Sequence, residues 1–293
     1  MKKIRAFTLV ELIIAMVISG LVMASVLVLF FSVFKSYEVH QDITEAKQRG
    51  QIALASIQPF VMNTGLGLPS TKSSFQTGFS GLTSLASFES FIQLASDDIS
   101  ISTGTEAPAL WLVYSVPSSA GVNDTEYLIE AKKHTLIFVE RFADLAASTN
   151  LSTNKLELKS WVSFPGAISP FWVSAIDQAS SSLTLYSETF QTIKMFDEMH
   201  FTRAVKLYVR NDSLYANRLD GSGEQPIADG IAGMWCTFDT AGDRVLTVRV
   251  LARASTRRGD TQSTIEGWPS EAPPPTDPEY RYAAVSRSWR IRN

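Results

Sequence analysis

Cysteine is almost missing from this 293-residue chain: Cys236 stands alone, so no intramolecular disulfide can form, whichever compartment the protein reaches. Folding must rest on burial and hydrogen bonding, and Cys236, inside the apolar run Ile231 to Phe238, reads as a small buried side chain. A charge excess is missing too. Twenty-six lysines and arginines against 29 acids leave a net charge of -3, with both signs interspersed, so nucleic acid is not indicated as a partner. Histidine is scarce: His40, His134 and His200 fall on a helical stretch, in a turn and beside a strand, without ligand-like spacing to the cysteine or to any acid. Phosphate-cradling glycine motifs, nucleophile elbows and metalloprotease helices are absent. The expectation is a non-enzyme with no cofactor, no metal and no small-molecule substrate.

Three weaker patterns have plain readings. Asp97-Asp98 places two acids on opposite sides of a strand, and such pairs usually mark a turn. Asp220, Ser222 and Glu224 in a glycine-rich loop are similar to a calcium loop but lack the length and glycine position of an EF-hand. Arg258-Gly259-Asp260 spells a cell-adhesion tripeptide, a match that recurs by chance, and it follows a strand as turns do.

What the chain does have is concentrated at its start. Lys2, Lys3 and Arg5 precede an apolar stretch in which Glu11 is the only charge before Lys35. As a helix, Leu12 to Phe34 measures about 35 Å, enough to cross a hydrocarbon core of roughly 30 Å. The leading cations put the N-terminus in the cytoplasm and the bulk of the chain outside. A secretory signal cut near Val22-Met23-Ala24 competes, but a signal core runs about 7 to 15 residues and carries no acid. A simple membrane anchor leaves Glu11 unexplained, because an acid in the bilayer costs about 2.5 to 3.5 kcal/mol and needs a partner or a purpose. A cut between Ala6 and Phe7 would supply one. The new α-amino group of one subunit could neutralise Glu11 of a neighbour as helices stack with an axial offset.

The basic leader, then Phe7-Thr8-Leu9-Val10-Glu11 and an unbroken apolar helix, closely resembles the type IV prepilin processing and methylation motif. That resemblance implies cleavage after Ala6 by a membrane prepilin peptidase and methylation of the amine of Phe7. The family usually has glycine before the cut, where this chain has Ala6. It also implies an α+β fold: a long N-terminal helical stalk packed on a mainly antiparallel β-sheet head. The organisation expected is a leader at 1–6, a transmembrane and assembly helix at 7–34, an amphipathic stalk helix at 35–64, a Ser/Thr/Gly-rich excursion at 65–108 and a β-rich head at 109–293.

The residues past the membrane agree. Val39, Ile43, Ala46, Gly50, Leu54, Ile57 and Val61 recur at helical spacing, with Glu38, Asp42, Glu45, Gln48 and Arg49 read as the polar side. Pro59 removes one helical hydrogen bond and clashes with the carbonyl of Ala55, so the helix is expected to kink or start to end there, with Thr64 to Pro69 completing the stop. Residues 70–108 read as a surface excursion with one short helix. Strand-like runs follow at Leu110–Val116, Tyr127–Ala131, Thr135–Arg141, Lys155–Val162, Ser182–Phe190, Ala204–Val209 and Val245–Leu251, with turns at Asn211-Asp212 and Asp220 to Gly223. Gly267 to Pro278, with five prolines, is a stiff surface loop, and Tyr280 to Asn293 returns to strand character to close the sheet. No boundary divides 70–293 into two folds.

Three stretches resemble the PilW family of minor pilins: Arg49-Gly50-Gln51-Ile52-Ala53-Leu54 with Ile57 and Thr64-Gly65; Asn211 to Ala232, with Ser213-Leu214-Tyr215 followed by Gln225 to Ile231; and the basic close Arg287 to Asn293. The resemblance implies a subunit that primes pilus assembly or sits at the tip, with other minor pilins and the major pilin as partners, in the inner membrane and then in the filament. The alternatives are a J-type minor pseudopilin of type II secretion, which is usually shorter, and a membrane-tethered head that binds a ligand with the loops at 70–108 and 267–278.

Overall fold

The computed structural model describes residues 8–143, 151–239, 244–259, 262 and 264–291. Apolar and helix-favouring residues behind a Thr8 cap form one helix, α1 (Leu9–Met62, 54 residues), about 81 Å long. It runs through Pro59 and ends a turn later, so the proline does not set the boundary. Pro59 lies on the exposed side, whereas Phe60 and Val61 are buried and hold the last turn against the head. The turn's carbonyls are capped by side chains: Asn63 Nδ2 donates to Pro59 O (3.1 Å) and Thr64 Oγ1 to Phe60 O (2.7 Å). Gly65 and Gly67 then take φ of +86° and +66°, which ends the helical path.

After α2 (Lys72–Gly78) come fifteen strands: β1 (Ile92–Ala95), β2 (Glu106–Ala107), β3 (Ala109–Val122), β4 (Tyr127–Ile129), β5 (His134–Glu140), β6 (Trp161–Ser163), β7 (Phe171–Asp177), β8 (Ser182–Tyr186), β9 (Gln191–Ile193), β10 (Glu198–Arg210), β11 (Ser213–Arg218), β12 (Gly223–Asp229), β13 (Ile231–Phe238), β14 (Val245–Arg257) and β15 (Tyr280–Arg290). Every recorded pairing is antiparallel. The stalk-on-sheet α+β architecture is therefore the observed one. Lys155–Val162, expected as a strand, is strand only at its end, and a 3-10 turn at Leu158–Ser160 precedes β6.

The head-side half of α1 lies on a four-stranded sheet, ordered β15-β14-β13-β2. Alternation along β14 turns Leu246, Val248, Val250 and Ala252 inward, where they share a core with Ala53, Leu54, Ile57 and Val61 of the helix. The approach is closest at Gly50: a Cβ there would meet Val285 Cγ2 at 2.8 Å and Ala252 Cβ at 3.6 Å. The segment expected to be a surface excursion contributes to this core instead. Phe75, Phe79, Leu82, Leu85, Phe88 and Phe91 are all buried, and Phe88 stacks on Trp111 at 5.3 Å. The serines and glycines between them supply turns, and the aromatic residues fill the gap between the sheets.

The larger sheet closes on itself. β3 pairs with β10 from Leu110 to Gly121 and with β5 at Gly121 and Val122, and β5-β8-β7-β6 leads back to β10, so six strands form a ring. Inside lies a second apolar core, which includes Phe164, Phe171, Leu183, Leu185 and Phe201. This barrel joins the rest of the head at the C-terminal end of α1, where Ser115 N donates to Asn63 O (2.8 Å), Ser115 Oγ donates to Leu66 O (3.0 Å) and the same hydroxyl meets Ser163 Oγ (2.8 Å). The head thus has two cores with no linker between them, because the long strands β3 and β10 serve both. Cys236 is fully buried in the first core, as its apolar run implied, and burial pushes its thiol pKa up.

Candidate functional site

Every large apolar side chain from Leu9 to Phe34 is exposed, and the helix is long and apolar enough to cross a membrane. Side chains of this kind need lipid or other helices around them. Glu11 stands near the start of this surface. Thr8 N and Thr8 Oγ1 each donate to its Oε2 at 2.9 Å, while Glu11 N donates back to Thr8 Oγ1 at 3.3 Å. This reciprocal pair is a capping box, and its T-x-x-E signature is legible in Thr8-Leu9-Val10-Glu11, although the intersubunit reading of Glu11 passed over it. One carboxylate oxygen thereby has two intramolecular donors. Lys2, Lys3, Arg5, Ala6 and Phe7 lie outside the described residues.

Where the stalk enters the head, the acids assigned to the polar side turn inward. Asp42 is only 3% exposed. Arg258 reaches it from the end of β14 with two bonds, Nε to Oδ2 at 2.7 Å and Nη2 to Oδ1 at 3.2 Å, and a third arm meets Glu38 Oε2 at 2.9 Å. Glu45 accepts from Ser255 Oγ (2.9 Å) and pairs with Arg49 (2.7 Å). A helical wheel cannot foresee this, because the cation that makes burial of Asp42 tolerable is 216 residues away. The same contacts occupy the arginine of the adhesion-like tripeptide, and its Asp260 lies outside the described residues.

The stretches singled out for their minor-pilin resemblance gather around the helix. Gly230 adopts φ +73° directly against Arg49, whose Cδ would lie 2.9 Å from a Cβ at that position. Arg287 Nη1 donates to Gln58 Oε1 at 2.8 Å.

The remaining candidates are structural. Asp97 Oδ1 accepts from the backbone N–H groups of Ile99 (2.7 Å) and Ser100 (2.6 Å), a turn as expected. Asp220 closes its own turn on Ser222, and Glu224 pairs with Arg210, so the three calcium-type residues are not gathered on one centre. Burial lowers the pKa of His200, opposed by Glu198 at 3.9 Å. His134 lies on the outer face of β5 against Tyr186 and Trp172, with ring centroids at 5.2 and 5.9 Å. Among the described residues, no group of three or more His, Cys, Asp or Glu side chains is placed to hold a metal.

Residues 1–27 match the family model described as the prokaryotic N-terminal methylation motif. No curated protein and no solved structure gives a significant match. The motif implies processing by a prepilin peptidase and assembly into a pilus-type system, and with the apolar helix it supports membrane anchoring. The N-terminal motif thus supports a type IV pilin-like or pseudopilin-like protein.

Proposed function

We propose that this protein is a minor type IV pilin of the PilW kind, which helps to prime pilus assembly or forms part of the tip complex. The observation that carries the reading is the methylation motif at residues 1–27 continuing into a 54-residue helix whose first half, among the described residues, is exposed along its length. A prepilin peptidase cuts between Ala6 and Phe7 and the amine of Phe7 is methylated. Lys2, Lys3 and Arg5 hold the leader in the cytoplasm, so the head is periplasmic until the subunit enters the filament. The N-terminal amine of one subunit then pairs with Glu11 of the next. Its partners are the other minor pilins and the major pilin, and the protein itself makes or breaks no bond.

Two features support a minor pilin over a J-type pseudopilin. The barrel enlarges the head beyond a stalk and one sheet, and two of the PilW-like stretches meet where Gly230 lies against Arg49. The deciding measurement is intact mass and N-terminal sequencing of the protein from native membranes with and without the prepilin peptidase, followed by its detection in sheared pili. A chain starting at methylated Phe7 only when the peptidase is present, and recovered with pili, is expected. A chain still starting at Met1 in both strains refutes the reading.

A further inference from the structure

Among the described residues the sheet edges of the head are short or blocked, with one exception. β1 has 4 residues, β4 and β9 have 3 each and β2 has 2. β12, the last strand of the large sheet, carries Pro226, which has no N–H to offer, and its pairing with β11 shifts register beside that proline. β15 is different. It is the outer strand of the four-stranded sheet, runs for 11 residues without a proline, and keeps one register with β14 from Tyr282 to Arg290.

Alternation along β15 decides what this edge presents. Ile291 N donates to Arg244 O at 3.0 Å, so the odd-numbered residues turn their N–H and C=O groups to β14 and the even-numbered ones turn theirs outward. At Tyr282 the outward pair is taken: Tyr282 N donates to Gln262 Oε1 (2.8 Å), and Gln262 Nε2 donates back to Tyr282 O (3.2 Å). A planar amide thus already sits where the next strand would lie. Beyond it, among the described residues, no backbone group pairs with Ala284, Ser286 or Ser288 on the outward side, and Ser286 to Ser288 are exposed. The open stretch is also basic. β15 holds Arg281, Arg287 and Arg290 and no acid. Arg287, at its centre, donates to Gln58 Oε1 (2.8 Å) and lies 5.5 Å from the centre of the Trp289 ring, both neutral partners. Gln58 in turn donates to Met62 Sδ (3.1 Å), and Met62 is 67% exposed.

We propose that the edge of β15 from Ala284 to Arg290 docks an extended segment of another polypeptide, which adds as a fifth strand and places an acid opposite Arg287 between two apolar residues. The outward groups of Ala284, Ser286 and Ser288 supply the ladder. On that side Arg287 stands in a non-hydrogen-bonded pair, the geometry that brings cross-strand side chains closest, so a carboxylate opposite it meets the guanidinium. Residues two positions away on either side of the acid share its face and lie against half-buried Val285 and Trp289. A second copy of β15 is a poorer occupant, because it brings three more arginines and no acid. The edge belongs to the head and takes the same strand whether or not the subunit enters a pilus.

The test is fluorescence anisotropy of labelled peptides titrated with the full-length chain in detergent micelles. The probe is the blocked peptide Thr-Val-Thr-Glu-Thr-Val-Thr. Its comparisons are the same peptide with glutamine for glutamate, a form N-methylated on the two threonines beside the glutamate, and a form N-methylated on the two valines. In the docked register those threonine N–H groups face β15 and the valine N–H groups face away. The probe and the valine-methylated form are expected to saturate one site, and the threonine-methylated form to bind about tenfold more weakly or worse. The glutamine peptide should bind severalfold more weakly, without the probe's salt dependence. Ser286→Pro removes one outward N–H and no bond to β14, so it should lose the probe while melting near the native temperature. Arg287→Gln should bind probe and glutamine peptide alike. Equal binding of the two methylated forms, a probe that never saturates, or unchanged affinity in Ser286→Pro overturns the assignment. Equal and equally salt-sensitive binding of the glutamine peptide overturns the acidic character of the partner. A chain that dimerises, binds no probe and is dispersed to monomers by Ser286→Pro overturns it in favour of a second copy.

Discussion

Arg258 Nε lies 2.7 Å from Asp42 Oδ2, and this contact ties the end of β14 to the stalk where the helix enters the head. Asp42 is nearly fully buried while Arg258 is about a quarter exposed, so removing the arginine leaves a carboxylate that has lost its main counter-charge. Arg258→Ala is expected to cost about 2 to 4 kcal/mol, below the largest values for fully buried pairs because one partner is partly wet. Arg258→Lys should recover only part, since an ammonium cannot bond both carboxylate oxygens in the fork geometry. Chemical denaturation of the full-length chain in micelles measures both; a loss under 1 kcal/mol for the alanine variant would mean that the clamp is ornamental.

Gly50 offers a second handle on the same interface. A methyl group there would sit 2.8 Å from Val285 Cγ2, so Gly50→Ala must push β15 and Gly50→Val must separate stalk from sheet. The expected order of melting temperature is native, then Ala, then Val, with the valine variant losing about 2 kcal/mol or more. Since alanine favours helix by about 1 kcal/mol over glycine, a stabilised Gly50→Ala variant would show that the contact relaxes freely.

The two cores make a prediction about where the head opens. Phe171 is fully buried in the barrel and meets Phe164 edge-on at 5.4 Å. Phe171→Ala should cost about 3 to 5 kcal/mol. Hydrogen exchange should speed up in β5, β7 and β8 and stay slow in α1, β14 and β15. Uniform acceleration through both sheets would mean that the cores unfold as one.

Acid should weaken the barrel through His200. Burial lowers its pKa from the ordinary 6.5, and its Nδ1 is buried with no partner. With the folded value below the unfolded one, the unfolded chain binds more protons as pH falls below about 6.5, so stability is full above that pH and declines beneath it. Thermal melts at pH 7 and pH 5 should show a smaller drop for His200→Gln than for the native chain; equal drops would remove His200 as the cause.

Glu11 caps its own helix, and the proposed function adds a charge-pairing role that three variants divide from it. Gln can replace Glu in a capping box, so Glu11→Gln keeps the Thr8 bonds and removes the charge, while Thr8→Ala removes the cap and keeps the charge. If the amine of a neighbour is the partner, Glu11→Gln should be excluded from sheared filaments as fully as Glu11→Val, and Thr8→Ala should still incorporate. Filaments containing Glu11→Gln at native level would assign the residue to capping alone.

Sequence and structure agree wherever a property depends on neighbours in the chain. The helix, the antiparallel β character and the turn at Asp97 all follow from spacing within about ten residues. The disagreements at Asp42 and in residues 70–108 are each set by a distant partner. Asp42 reads as polar surface until Arg258 meets it. Phe75, Phe79 and Phe88 look scattered among serines until Trp161 and Trp111 stack on two of them.

By itself the sequence determined the apolar run: from Leu9 to Phe34 it forms a helix long and apolar enough to cross a membrane whatever follows, because a helix satisfies its own backbone and lipid accepts its side chains. Only the tertiary structure decided that β3 and β10 close a barrel and that an acid could be buried in the stalk. Ring closure and burial of charge are properties of pairs, and a pair such as Asp42 and Arg258 has an energy only once the fold has brought both members together.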